Sequence, residues 1–330
     1  MRKFEVGVII LLGAGAVATA VSLRMYDNRY GHAEGLGRPT WIRLSGGELG
    51  LVVPSLMVHP SPEGDDDESW RLSAYDLRQG KRVGVRMTST ERHCLPARPG
   101  KLWCTHAGGL ALRSVPSLAL LRSPAALVAE VPALAAGFRP RGPFGVDLAT
   151  GEAFVPTADG QEHVLDPDLL AARPVGRGAP RTTRLSAERG GVPRFERAPA
   201  SVEMAGARYV FQAASGEQRH LFVDDSPKPR AVYRAPMLAP AFLPDGGGGG
   251  LVAEGRVFWT YDTSLDPRRA RRVLVAWGPA AEPWQREGPR APVQGLHVEN
   301  DRLFLVWGPP RVELEALDIA TGRRLWVRHL

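Results

Sequence analysis

The sequence predicts an all-β chain behind a short hydrophobic leader, and three observations predict it. Proline (29) and glycine (37) fall every few residues along the 330, which leaves little room for long helices and suits short strands joined by turns. Apolar runs rich in Val, Leu and aromatics recur between Gly, Pro and Asp clusters, as at Trp41–Leu44, Leu51–Val53, Arg208–Gln212, Val257–Tyr261, Val273–Trp277, Leu303–Trp307 and Leu325–Val327. Runs of that length and make-up read as strands. An Asp-to-Gly turn signature returns between them at Asp76, Asp147 and Asp318. With 44% hydrophobic and 23% charged residues, the chain has the apolar content to bury a core and lies outside the disordered regime.

The first element is the leader. Arg2 and Lys3 precede Val6–Leu23, which carries no charge (VGVIILLGAGAVATAVSL) and is closed by Arg24. As a helix these residues would span about 27 Å, just short of the roughly 30 Å hydrocarbon layer. The positive-inside rule then keeps the N-terminus cytoplasmic and sends the bulk outward. Residues 1–23 therefore read as a signal-anchor or signal peptide. Ala16-Val17-Ala18 and Ala18-Thr19-Ala20 both fit an A-x-A cleavage site, and cleavage would release a soluble periplasmic or secreted protein. The near-spanning length favours the anchor: a single-pass inner-membrane protein with its C-terminal domain in the periplasm. Residues 24–40 are polar and glycine-bearing and read as a linker, leaving 41–330 as the extracytoplasmic domain.

Within that domain two signals repeat. Asp147-Leu-Ala-Thr-Gly151 and Asp318-Ile-Ala-Thr-Gly322 are nearly identical, and Asp76-Leu-Arg-Gln-Gly80 is a looser copy. An Asp carboxylate at the start of a type I turn and a Gly in the left-handed position at its end join antiparallel strands. Weaker versions sit at Asp224 and Asp266. The second signal opens a strand: Ala207-Arg208-Tyr-Val-Phe, Gly255-Arg256-Val-Phe-Trp and Asp301-Arg302-Leu-Phe-Leu, with arginines 48 and 46 residues apart. That spacing suits a four-stranded propeller blade of about 40–45 residues. The turn aspartates step by 71, 77, 42 and 52 residues. One degenerate turn in each long gap gives a single β-propeller of about seven blades over 41–330, with six or eight also open. The strand at 41–53 is the natural donor of a missing outer strand to the last blade, hiding an edge.

These residues carry a resemblance. Asp301–Trp326 resembles one repeat of the PQQ-like (pyrroloquinoline-quinone-type) β-propeller family, whose A-L-D-x-x-T-G-x-x-x-W core ends a blade; Ala316, Leu317, Asp318, Thr321, Gly322 and Trp326 match it. The resemblance implies that Trp326 packs against a neighbouring blade. Asp147–Gly151 shares the turn but has Phe154 nearby in place of the tryptophan, and Ala239–Gly246 looks like the S-P-D-G opening of WD40-like periplasmic repeats. Quinoprotein dehydrogenases need a larger eight-bladed body and an adjacent Cys-Cys pair. Neither is present, so no cofactor is expected.

Candidate sites are few. Cys94 and Cys104 are the sole cysteines, with Pro96, Pro99 and Gly100 between them, a spacing that favours a disulfide across a hairpin in an oxidising compartment. His93 and His106 beside them would complete a zinc ligand set, but His93 and Cys94 are adjacent and point to opposite faces of a strand. No metal is expected. Asp65–Glu68 reads as a solvated acidic turn and Gly246–Gly250 as a hairpin tip, since the first lacks a calcium-loop spacing and the second the Lys and Ser/Thr of a phosphate loop. The tryptophans at 41, 70, 103, 259, 277, 284, 307 and 326 read mostly as packing between blades. The chain carries 42 Lys+Arg against 35 Asp+Glu, and only four of the 42 are lysines. The arginines are scattered and lack the one-faced clustering with aromatics of a nucleic-acid binder. No nucleophile elbow, paired histidines on a helix face or paired carboxylates stand out. The expectation is a non-catalytic binding or scaffold protein of the bacterial cell envelope that presents a propeller face to an envelope or membrane protein. The alternatives are an enzyme with a polar site at the channel mouth, or a small-molecule or metal sensor.

Overall fold

A computed structural model describes residues 32–59, 67–88, 91, 93–106, 108–139, 144–175, 183–185, 198–224, 229–245, 249–266, 270–308 and 312–330. The leader Val6–Leu23 lies outside them; among the described residues no helix is long and apolar enough to cross a membrane. The described chain is mostly strand, as an all-β fold requires, and the strands fall into five sheets.

The first sheet comprises β1 (His32–Leu36), β2 (Thr40–Arg43), β3 (Leu49–His59), β4 (Asp67–Asp76) and β5 (Lys81–Thr88), ordered β1-β3-β4-β5 with β2 also on β3. β1 lies in the segment read as a linker: composition hid it because its order comes from pairing with Ser55–Val58 of β3. The second sheet is a meander of β6 (Cys94–Pro96), β7 (Lys101–His106), β8 (Gly109–Ser114) and β9 (Leu120–Arg122). The helix α1 (Pro124–Glu130) follows. Its start is written locally: Pro124 supplies a ready φ, and the Ser123 side chain accepts the Ala126 N–H at 3.1 Å.

β10 (Phe144–Val146), β11 (Ala153–Pro156), β12 (Glu162–Leu165), β13 (Ala172–Pro174) and β14 (Thr183–Leu185) make the third sheet, in which β14 returns to pair with β10. The Pro/Gly/Arg-rich stretch 173–200, much of it outside the described residues, thus contributes a strand. The fourth sheet holds eight strands: β15 (Ser201–Met204), β16 (Ala207–Ser215), β17 (Gln218–Val223), β18 (Arg230–Phe242), β19 (Val252–Ala253), β20 (Arg256–Asp262), β21 (Arg272–Gly278) and β22 (Ala281–Gly288). The last is a meander of β23 (Val293–Glu299), β24 (Arg302–Trp307), β25 (Glu313–Asp318) and β26 (Arg324–His329).

That last meander corrects one expectation. It draws all four strands from 293–329, because β23 precedes the Asp301-Arg302 motif and completes the sheet. Residues 41–53 donate nothing to it and pair instead within the first sheet.

The chain divides into two compact units. One contains Val52–Ala74 and Val83–Glu188 with the described residues up to Gly37; the other contains Arg38–Leu51, Tyr75–Arg82 and Arg189–Leu330. In the first, Trp103, Leu110 and Leu112 of the second sheet, Leu127 of α1 and Phe144, Val146, Val155 and Leu165 of the third form one core. In the second, alternation along the strands builds two cores. Val257, Trp259 and Tyr261 of β20 with Val273 and Val275 of β21 face one, while Phe258, Leu274 and Ala276 face the other, against Leu303, Leu305 and Trp307 of β24. Period-two alternation with both faces apolar is what a sheet covered on both sides demands.

Candidate functional site

The Asp-to-Gly turns are docking points for tryptophans. In Asp147–Gly151 the Asp147 carboxylate accepts the Ala149 N–H at 2.8 Å, and Gly151, at φ +73, donates back to Asp147 O. In Asp318–Gly322 the Asp318 carboxylate accepts both the N–H (2.9 Å) and the hydroxyl (2.7 Å) of Thr321, which hold its pKa below the usual carboxylate value; Gly322 sits at φ +69. In Asp76–Gly80 the Asp76 carboxylate accepts the Arg78 N–H, with Gly80 at φ +62. The left-handed glycine leaves a bare backbone against which a flat ring can lie. A Cβ on Gly322 would meet the Trp284 ring at 2.5 Å and one on Gly80 the Trp326 ring at 2.6 Å. The Trp284 indole N–H donates to Ile319 O (2.8 Å), and that of Trp103 to Gly151 O (2.9 Å).

The strand-opening arginines sit just beyond two-residue reversals. Ala205-Gly206, Glu254-Gly255 and Asn300-Asp301 all have positive φ at both positions, the I′ geometry that matches strand twist. They join β15 to β16, β19 to β20 and β23 to β24, pairing Met204 with Ala207, Ala253 with Arg256 and Glu299 with Arg302.

The third of these reversals borders a cleft of about 430 Å³ in the second unit, lined among others by Arg43, Glu48, Arg78, Glu299, Arg302 and Phe304. Three short reversals supply its charged groups: the β2–β3 hairpin, the Asp76–Gly80 turn and the Asn300-Asp301 turn. Arg43 grips Glu299 with two hydrogen bonds, 2.8 and 2.9 Å. That pairing lowers the Glu299 pKa and raises that of Arg43. Beside them His297 stacks on Trp41 with ring centroids 5.2 Å apart and lies 3.4 Å from Glu299. Burial lowers the His297 pKa despite the adjacent carboxylate, so its imidazole is neutral at pH 7. The guanidinium groups of Arg78 and Arg302 and the carboxylate of Glu48 have no hydrogen bond or ion pair among the described residues. The sequence singled out Arg78 and Arg302 only as members of a turn and of a strand-opening motif. The cleft itself escaped sequence reasoning, because residues 43–48, 77–78 and 299–304 meet only in the fold.

The structure joins Cys94 and Cys104 in a disulfide, opposite one another on β6 and β7. Bonded to each other, the sulfurs are not thiolate ligands for the zinc alternative. Among the described residues no three His, Cys, Asp or Glu side chains gather to hold a metal. Asp65 and Asp66 and Gly246–Gly248 lie outside the described residues.

No family model matches the sequence, and no curated protein matches it. Among solved structures the chain is similar to the apo form of the AtxE2 isopeptidase at 10% identity and a TM-score of 0.43, covering 90% of this chain and 52% of that one. It is similar to Hsv2 of Kluyvelomyces marxianus at 8% identity and a TM-score of 0.23, covering 89% and 62%. A third likeness, at 10% identity and a TM-score of 0.29, is to the extracellular domain of the putative hybrid two component system BT4673 from B. thetaiotaomicron, covering 92% and 38%. The chain thus spans less than two thirds of each of these chains, and likenesses this slight carry no argument about activity.

Proposed function

We propose that this chain is a non-catalytic binding module of the bacterial cell envelope, delivered there by residues 6–23, and that it presents loops of a β-propeller-type body to a protein partner. The observation that carries the reading is the cleft. Three short reversals converge on uncommitted charge, and one of them, Asp76–Gly80, is pinned by the Trp326 ring. Loops held on a rigid scaffold are where binding residues concentrate. Antiparallel meanders and repeated Trp-to-turn docks support the propeller. The eight-stranded sheet reads as two meanders, β15–β18 and β19–β22, which gives six repeats where the turn spacing suggested about seven, since the 147-to-224 step spans one sheet and an excursion.

Mild-detergent affinity purification of the full chain from native membranes, with mass spectrometry of all that is retained, tests the reading. A stoichiometric envelope protein is expected. A solitary chain, or one found in the cytoplasmic fraction, would overturn it.

A further inference from the structure

We infer that the cleft bearing Arg78 and Arg302 binds one compact anionic oxyacid group, a carboxylate or a phosphate; the inference rests on the binding-module reading. Two junctions of the same design carry it. Aligning the turn sequences Asp318–Gly322 and Asp76–Gly80 pairs Ile319 with Leu77 and Ala320 with Arg78; the strand-opening motifs pair Arg256 with Arg302, and the rings on the two glycines pair Trp284 with Trp326.

At the first junction both the indole and the arginine are engaged. The Trp284 indole donates to Ile319 O at 2.8 Å. The Arg256 guanidinium, almost fully buried, donates to Ala320 O (3.1 Å) and Glu282 O (2.5 Å). At the second junction the ring-on-glycine contact is kept and Arg328 donates to Gly80 O (2.9 Å) and Gln79 O (3.5 Å), but the indole bond and the Arg256-type bond have no counterpart among the described residues. The Trp326 indole nitrogen is buried without a partner among the described residues. Among the described residues Arg302 grips no carbonyl, and the small Ala320 is replaced by a second arginine, Arg78. A junction that closes on itself in one place is thus an open cleft of about 430 Å³ in the other.

The charges around that opening select an anion. Of the lining carboxylates, Glu299 is consumed by Arg43, and Glu48 opposes a polyanion without neutralising either free arginine. Arg78 and Arg302 remain to line that opening, together with Leu49, Leu77 and Phe304. Planar forks match the paired oxygens of a carboxylate or phosphate, and apolar walls strengthen such pairing by lowering the local dielectric.

Isothermal titration of the full chain at fixed ionic strength tests this, with inorganic phosphate, with N-acetyl-alanyl-alanine and with its C-terminal amide. Saturable binding of phosphate or of the free acid, but not of the amide, is expected, and the arm that binds names the source. Arg78→Gln and Arg302→Gln should each weaken binding about tenfold or more, and Arg302→Lys, which keeps charge but loses the fork, by less. Arg78 is exposed, so its variant keeps the test open should Arg302→Gln fail to fold. Absence of saturable binding, or equal affinity in wild type and both Gln variants, would overturn the inference. A chain that captures its envelope partner yet binds neither anion sinks this inference alone; one that binds an anion but captures no partner sinks the binding-to-protein reading instead.

Discussion

Gly322→Ala should be among the more damaging single-methyl additions in this protein. Three costs act together. The residue sits at φ +69, where an L side chain costs about 1–2 kcal/mol. Its new Cβ would lie 2.5 and 2.6 Å from Trp284 ring carbons, against an ordinary carbon contact of about 3.5–4.0 Å. The ring must therefore withdraw by about 1 Å, an overpacking cost of about 1–3 kcal/mol. Withdrawal also stretches the 2.8 Å bond from the Trp284 indole to Ile319 O, forfeiting about 0.5–1.5 kcal/mol. The sum is about 2.5–6.5 kcal/mol, centred near 4.5. Gly216→Ala is the control: φ is +52 but nothing lies within 4 Å of its Cβ, so only the backbone term of about 1–2 kcal/mol remains. Gly80→Ala should fall between them, since it crowds Trp326 but breaks no indole hydrogen bond. Urea unfolding of the three variants, followed by tryptophan fluorescence, gives the ranking. Equal losses for Gly322→Ala and Gly216→Ala would refute the idea that ring docking on the turn stabilises the fold.

Other outcomes follow from the same geometry. Replacing Cys94 and Cys104 together by Ala should lower stability by about 2–3 kcal/mol by the chain-entropy estimate for a ten-residue loop, and urea unfolding under reducing conditions should bring the wild type down to match. The His297 pKa is lowered by burial, so the unfolded chain holds the extra proton between that depressed value and about 6.5. Stability from this group is complete above about 6.5 and lost as pH falls through the folded value; His297→Gln should remove that part of the pH dependence of the melting temperature. Buried Glu315 accepts from Trp307 (2.9 Å) and pairs with Arg286 (3.1 Å) and Arg324 (3.2 Å). Glu315→Leu leaves Arg286 without its carboxylate and should cost about 3–5 kcal/mol by thermal or urea unfolding. Ala205→Asn, at an exposed φ of +52 in an I′ turn, should gain up to about 1 kcal/mol in the same assay.

What could be read in advance divides by range. Asp76, Asp147 and Asp318 with their glycines are local devices: carboxylate and left-handed residue lie four positions apart, so the chemistry is in the string. The helix start Ser123-Pro124 is equally local. By contrast, the reversals Ala205-Gly206 and Glu254-Gly255 lack the Asn-Gly signature; only the arginine after them gave a hint. β1 was invisible because pairing with β3, not its own composition, orders it. The cleft was least legible of all. Its guanidinium groups come from residues 43, 78 and 302, and a repeat motif announces what two junctions share, whereas this site arises where one junction departs from the other.

The eight-stranded sheet bears on how the protein opens. β18 pairs with β17 along one edge and, through Leu238, Ala241 and Phe242, with β20 along the other. Neighbouring sheets joined only by side-chain packing can fray one at a time; β15–β18 and β19–β22 share a hydrogen-bonded ladder. Opening either meander at that seam exposes backbone amides of both, so β17, β18 and β20 should exchange their deuterium together as a single cooperative unit. An insertion beside Leu238, which pairs with Gln218 of β17 and with Asp262 of β20, would then disturb the ladder on both sides.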